Sequence, residues 1–162
     1  MKQLLLLRHA KSSHSGGQVN DHDRLLNERG EREAPMVGRY LVEQDLIPQR
    51  TISSTASRAE RTAVLLLKEC GLDPPQLDER LYLAAPQTIT ELAMECDEST
   101  DRLLLVGHNP GMESLASQLS NRYLDLKTAH LAVFQFYGIA WNDSRWLTEA
   151  LLLLQWRAGG DV

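Results

Sequence analysis

The chain has only two cysteines in 162 residues, Cys70 and Cys96, and they are too far apart for a C-x-x-C pair. That excludes a disulfide scaffold and makes reduced thiols the expected state. Long apolar runs are also missing. The four leucines Leu4–Leu7 stop at Arg8-His9, too soon for a secretory signal, and no later run approaches spanning length. Positive charge is scarce, with a formal net charge of −5 and a pI near 5.5. This argues against nucleic acid or an anionic membrane held by a global field, so no nucleic acid and no membrane is expected among the partners. No internal repeat, low-complexity tract or Pro/Gly/Ser linker divides the sequence. A single domain over residues 1–162, soluble and cytoplasmic, is the expectation.

Two short apolar runs stand out, because each ends in a histidine: Leu4–Leu7 leads into Arg8-His9, and Leu103–Val106 into Gly107-His108. Bounded runs of this kind read as strands buried on both faces, and in open α/β sheets ligands bind beyond the carboxyl ends of such strands. If the two strands are neighbours, two imidazoles and an arginine meet at one crevice. Between and after these runs the spacing predicts further elements. The polar stretch Ser12–Asp23 reads as a loop overhanging the first strand end, and Asn27 as the cap of a helix beginning at Glu28 and ending before Pro48. Thr51–Ser54 reads as a strand. Ser57 and Glu60 match a capping box that opens a helix through Leu65–Leu67, ending at Gly71. Leu77–Leu83 is expected to be extended, Thr88–Cys96 helical, and Met112–Leu119 helical after the Asn109-Pro110-Gly111 turn. Two last strands are expected, at Leu131–Phe136 and Ala150–Leu154. Strands alternating with helices favour an α/β fold, a mostly parallel sheet with helices on both faces, the last strands possibly antiparallel.

These residues suit phosphoryl chemistry. A phosphoryl group spreads negative charge over three oxygens, so a site that moves it needs cations and N–H donors beside a nucleophile. Arg8 lies at a strand end and Arg58 in the first turn of a helix, where free N–H groups also favour an anion. A guanidinium fork bonds two phosphate oxygens and keeps its charge. A neutral histidine nitrogen can attack phosphorus to give a phosphoramidate that water later opens. His9 is the candidate nucleophile and His108 the second imidazole, stabilising charge as it develops.

In order along the chain stand Arg8-His9-Ala10-Lys11-Ser12, Asp21-His22-Asp23-Arg24-Leu25, Ser53-Ser54-Thr55-Ala56-Ser57-Arg58, Arg80-Leu81-Tyr82 and Val106-Gly107-His108-Asn109-Pro110-Gly111. The first block resembles the signature of the histidine phosphatase superfamily, and the ordered set is similar to the small SixA-like phosphohistidine phosphatases. The resemblance implies a three-layer α/β/α sandwich of the phosphoglycerate mutase-like kind, with His9 phosphorylated in turnover. It places Arg8, Arg58 and His108 around the phosphate, with Asn109 beside them as a substrate contact, and implies no metal or organic cofactor. The implied partner is a phosphorylated protein of the histidine phosphotransfer type, or a small phosphorylated substrate.

The departures from the family pattern bear on the substrate. Mutase-like members place a carboxylate donor near the position of Leu83, and acid-phosphatase-like members have His-Asp where this chain has His108-Asn109. An alkoxide leaving group needs a proton, whereas the weaker P–N bond of phosphohistidine needs less help. A phosphohistidine phosphatase is therefore the first expectation. A phosphomonoesterase or mutase is the second, with Asp21, Asp23 or a carboxylate near Glu79 as the acid. A non-catalytic phosphoprotein-binding module is the third. Lys11, Asp21 and Asp23 are candidate donors or contacts. His14 and His22 with the two aspartates could be drawn as metal ligands, but their spacing matches no recognised site and a solvated loop is the expected reading.

Overall fold

All four leucines of Leu4–Leu7 are fully buried, which requires an apolar layer on each side of their strand. In the computed structural model, which describes residues 1–14 and 19–160, that strand is β1 (Lys2–Arg8), followed by β2 (Arg50–Ser53), β3 (Gln76–Leu77), β4 (Arg102–Gly107), β5 (His130–Phe136) and β6 (Leu151–Arg157). They form one sheet in the order β3-β2-β4-β1-β5-β6. β1, β2, β3 and β4 pair in parallel, while β5 runs antiparallel to both β1 and β6. The sheet is thus mostly parallel with an antiparallel strand near one edge. β1 and β4 are central neighbours, and ligands of such sheets gather at the carboxyl ends of their strands.

The helices are α1 (Glu28–Glu43), α2 (Ser57–Glu69), α3 (Pro86–Met94), α4 (Gly111–Ser120) and the short α5 (Trp146–Glu149). Alternation along β1 sends Leu5 and Leu7 to one face, against Ala34, Val37 and Leu41 of α1 and Ala63 and Leu66 of α2. Leu4 and Leu6 face the other layer, with Leu92 of α3, Met112 and Leu115 of α4, and Trp146 of α5. The result is the α/β/α sandwich. Each fully buried leucine contributes roughly 1.5–3 kcal/mol, so the two leucine runs anchor the strand ends that carry the histidines. Trp141, Trp146, Phe134 and Phe136 are buried in the same layer as Leu4. Trp156 is half-buried at the edge, stacked on Tyr40 with ring centroids 4.1 Å apart. Among the described residues no helix is long and apolar enough to cross a membrane.

Two local expectations are corrected. Leu77–Leu83 is not one extended segment: β3 ends at Leu77 and a 3-10 turn covers Glu79–Leu81. The Asp78 carboxylate accepts from the Arg80 N–H at 2.9 Å, a local side-chain bond that competes with continued pairing. The capping box does not form either. Ala56 occupies the cap of α2 with no side-chain bond, and Ser57 is already helical. The Ser54 hydroxyl instead accepts from the Ala56 N–H at 3.2 Å. The cap at Asn27 does form, its side chain accepting from the Gly30 N–H at 2.9 Å. Residues 15–18 of the predicted Ser12–Asp23 loop lie outside the described residues, and Asp21–Asp23 is a 3-10 turn.

Candidate active site

The β1–β4 register pairs Leu7 with Val106 and Arg8 with Gly107. His9 and His108 are therefore each the first residue beyond adjacent strands. The His9 N–H continues the ladder to the Gly107 carbonyl at 3.0 Å, and the two rings lie 5.1 Å apart, tilted by 56°.

The proton on His9 is placed by its neighbours. Nδ1 lies 2.7 Å from the Ala10 carbonyl oxygen, which can only accept, so Nδ1 carries the hydrogen. Nε2 keeps its lone pair, and Arg58 Nε–H donates to it at 3.2 Å. Burial pushes the His9 pKa down to about 3, with the positive charges of Arg58, Arg8 and Arg24 acting the same way and the Ala10 carbonyl opposing them. The ring is neutral near pH 7, as a nucleophile must be.

His108 is neutral for a similar reason. Burial lowers its pKa to about 3, helped by His9, Arg58 and Arg8 and opposed by Asp21. Its Nε2 lies 2.8 Å from Ser54 Oγ. The Ser54 hydroxyl has no other acceptor among the described residues, so its hydrogen faces Nε2 and the imidazole proton sits on Nδ1. Nδ1 is buried with no partner among the described residues. It is a donor without an acceptor.

Arg8 has the same character. One terminal nitrogen donates to the Leu126 carbonyl at 3.0 Å, while its Nε is buried and unpartnered among the described residues. Buried donors left unpaired cost about 1–3 kcal/mol each, and Arg8 Nε and His108 Nδ1 are two such donors on residues that adjoin His9. Arg58 is 2% exposed. Its two terminal nitrogens donate to the Asp21 carbonyl at 2.6 Å and to Asp21 Oδ2 at 3.0 Å. The α2 turn that carries it is fixed by Thr62, whose hydroxyl donates to the Arg58 carbonyl and accepts from the Ala10 N–H.

Asp21 therefore occupies the fork expected to hold phosphate. Its carboxylate also accepts from the Tyr82 hydroxyl at 2.5 Å and from Arg24 Nε at 3.0 Å. The Tyr82 hydrogen bond, with those of Arg58 and the charges of Arg58 and Arg24, pulls its pKa down to about 2. Asp23 is placed elsewhere, 3.3 Å from His22 Nδ1 at the surface. Lys11 contributes its main-chain carbonyl, which accepts from the Asn27 N–H. Arg61 pairs with Glu31 at 2.9 Å, away from the fork. Asn109 holds a loop: it donates to the Leu126 carbonyl at 2.8 Å and to Glu113 at 3.2 Å, and its oxygen accepts from the Glu113 N–H. Among the described residues no group of three or more His, Cys, Asp or Glu could hold a metal ion.

Four participants escape a reading of the sequence alone. Ser54 orients His108, Tyr82 holds Asp21, Leu126 offers its carbonyl to Arg8, and Glu113 accepts from the Leu126 N–H at 3.0 Å. Only Ser54 and Tyr82 lie within recognisable motif blocks.

The chain resembles known proteins in sequence and in fold. The model of the histidine phosphatase superfamily, branch 1, matches residues 4–82. An uncharacterized protein of Mycobacterium tuberculosis is 40% identical over 116 residues, which span 71% of this chain and 70% of that protein. A chloroplastic protein of Arabidopsis thaliana is 30% identical over 157 residues, spanning 88% of this chain and 70% of that one. Among solved structures, the one described as the putative phosphohistidine phosphatase SixA from Agrobacterium tumefaciens is 26% identical with a TM-score of 0.83, covering 98% of this chain and 99% of that one. The protein histidine phosphatase SixA complexed with tungstate has a TM-score of 0.75 at 20% identity, covering 94% and 95% of the two chains, a likeness of fold. The chain belongs to the histidine phosphatase superfamily. Within it the structure is SixA-like, and membership supports a phosphatase activity.

Proposed function

We propose that the protein hydrolyses phosphohistidine, carried by a protein or a small phosphoramidate, through a phosphorylated His9. The observation that carries this reading is the pairing of a neutral His9, with its lone pair on Nε2, and two buried unpartnered donors beside it, Arg8 Nε and His108 Nδ1. In the first step His9 Nε2 attacks phosphorus and the P–N bond of a substrate ring already protonated on its other nitrogen breaks, the electron pair leaving with a neutral imidazole. Asp21 gives up the Arg58 fork to the incoming oxyanion, and Arg8 and His108 donate to the other oxygens. Water then attacks the phosphorylated His9, releasing phosphate and restoring the neutral ring. Nδ1–H stays on the Ala10 carbonyl throughout, which fixes the attacking nitrogen.

The choice of a phosphoramidate rests on the carboxylates near the fork. Asp21 is held ionised, with its pKa at about 2, and an ionised carboxylate has no proton for an alkoxide. Glu113 spends Oε2 accepting from Leu126 and Asn109. Both support a substrate whose leaving group needs little acid assistance. We place the reaction in the cytoplasm, in keeping with the free cysteines. Comparing kcat/KM on a phosphohistidine protein, on phosphoimidazole and on sugar phosphates tests the reading. A preference for the phosphoramidates is expected. A preference for esters that disappears in Asp21→Asn or Glu113→Gln would replace it with an ester phosphatase.

A further inference from the structure

Five buried side-chain atoms lack a hydrogen-bond partner among the described residues, and two of them flank His9. Two others lie together elsewhere: Nε2 of His130 and Nε of Arg157, residues paired across β5 and β6. They line a cavity of about 320 Å³ shared with Arg122, Lys127, Asp125 and Gln155. His130 is 6% exposed. Its Nδ1 accepts from the Lys127 N–H at 3.2 Å, so the neutral ring carries its hydrogen on Nε2 and that atom is a donor. Arg157 Nε is a donor by its chemistry. Three side chains with fixed positive charge surround these donors, Arg122, Lys127 and Arg157. Among the described residues the single acid lining the cavity is Asp125, 3.7 Å from the Lys127 ammonium. On a chain of net charge −5 this is a local concentration of cations and unspent donors, the same pattern that marks the phosphate place beside His9.

The two places share a wall. The segment from Leu126 to Ala129 gives the Leu126 carbonyl to Arg8 and Asn109, and the Ala129 N–H to the carbonyls of Arg8 and His9. Lys127, within the same segment, lines the second cavity and donates to His130. We infer that the His130–Arg157 cavity is a second oxyanion site beside the catalytic pocket, built to take a phosphate or carboxylate group. His130 Nε2–H and Arg157 Nε–H bond the oxygens, and Lys127 and Arg122 balance their charge. The anion is either a group on the molecule whose phosphoryl sits at His9 or a free inorganic ion. Anion binding would also draw the His130 pKa upward from the value of about 4 to which burial, then Arg157 and Lys127, hold it against Asp125.

The test follows the His130 ring by NMR while the full chain is titrated with inorganic phosphate, and separately with chloride at equal ionic strength. It is run in the wild type and in Arg58→Met, where the fork beside His9 is lost. A saturable phosphate shift of His130 in both proteins, absent with chloride and weakened roughly tenfold or more in Arg157→Met, is expected for charged hydrogen bonds. Lys127→Met, at an exposed position, supplies a second variant that weakens binding should Arg157→Met not fold. No saturable response to phosphate, or an equal response to chloride, would overturn the site. Because Arg58→Met needs no turnover, failure here is separable from failure of the phosphatase reading. Kinetics separate the two sources of the anion. If it belongs to the substrate, Arg157→Met raises KM for a phosphoramidate bearing a carboxylate and not for one without. If it is a free ion, KM rises for neither.

Discussion

Arg58 Nε–H donates to His9 Nε2 at 3.2 Å while the rest of the same guanidinium is bonded to Asp21. One buried cation thus marks the nucleophilic nitrogen and holds a carboxylate where the phosphoryl oxygens belong. In the proposed reaction, access of substrate to His9 and release of Asp21 are one event.

Asp21→Asn removes the competing charge and leaves the fork free for an anion. Vanadate and phosphate are expected to inhibit the variant roughly tenfold more tightly, the equivalent of about 1.4 kcal/mol, while phosphoramidate turnover persists. Inhibition constants measured at fixed ionic strength check this. Loss of activity on esters with unchanged vanadate affinity would make Asp21 an acid instead.

Ser54→Ala leaves His108 Nε2 without its hydroxyl partner and frees the other tautomer. A net hydrogen-bond contribution near 1 kcal/mol converts to a roughly fivefold fall in kcat, with KM little changed. Ser54→Thr, which keeps the hydroxyl, is expected to restore most of the rate. Equal kcat in wild type and Ser54→Ala would remove Ser54 as a positioning residue.

His9 and His108 each have a folded pKa of about 3, and His130 of about 4, against the ordinary 6.5. Below pH 6.5 the unfolded chain binds protons that these folded histidines refuse. Their contribution is therefore complete above pH 6.5 and is lost as pH falls toward the folded values. Each adds a slope of about 1.4 kcal/mol per pH unit in that window. Urea unfolding at pH 7, 6 and 5 should show a steep fall in stability. A flat profile to pH 5 would mean that the histidines are not held neutral by the fold.

A Cβ on Gly111 would lie 1.9 Å from the Ala84 carbonyl oxygen, and main chain cannot step aside as a flexible side chain can. Gly111→Ala is expected to cost about 1–3 kcal/mol, read as a lower urea midpoint. Because α4 begins three residues beyond His108, phosphatase activity should fall with it. An unchanged midpoint would show that the main chain at Ala84, ahead of α3, yields easily.

The parts of the site readable in the sequence are those set by local chemistry. Leu4–Leu7 and Leu103–Val106 announce buried strands by composition, and the histidine that follows each marks where the strand has ended. Asn27 announces its helix by its own hydrogen bond. Ser57-x-x-Glu60 shows the limit of such signals, since the same four residues fit a capping box that the chain passes over when Ser54 reaches Ala56 first. Asp21 on Arg58, Ser54 on His108, and the meeting of His130 with Arg157 join residues that only the fold brings together. Asn109 is expected from the sequence as a substrate contact, whereas the fold spends its amide on Leu126 and Glu113.

The central claim is a covalent phosphoryl group on His9, and trapping it is the most direct test. Wild-type protein mixed with a radiolabelled phosphohistidine protein and quenched within one turnover should carry label that is acid-labile and alkali-stable, mapped to His9. His9→Ala should carry none and release no phosphate. Label on another residue, or turnover by His9→Ala equal to wild type, would contradict the mechanism.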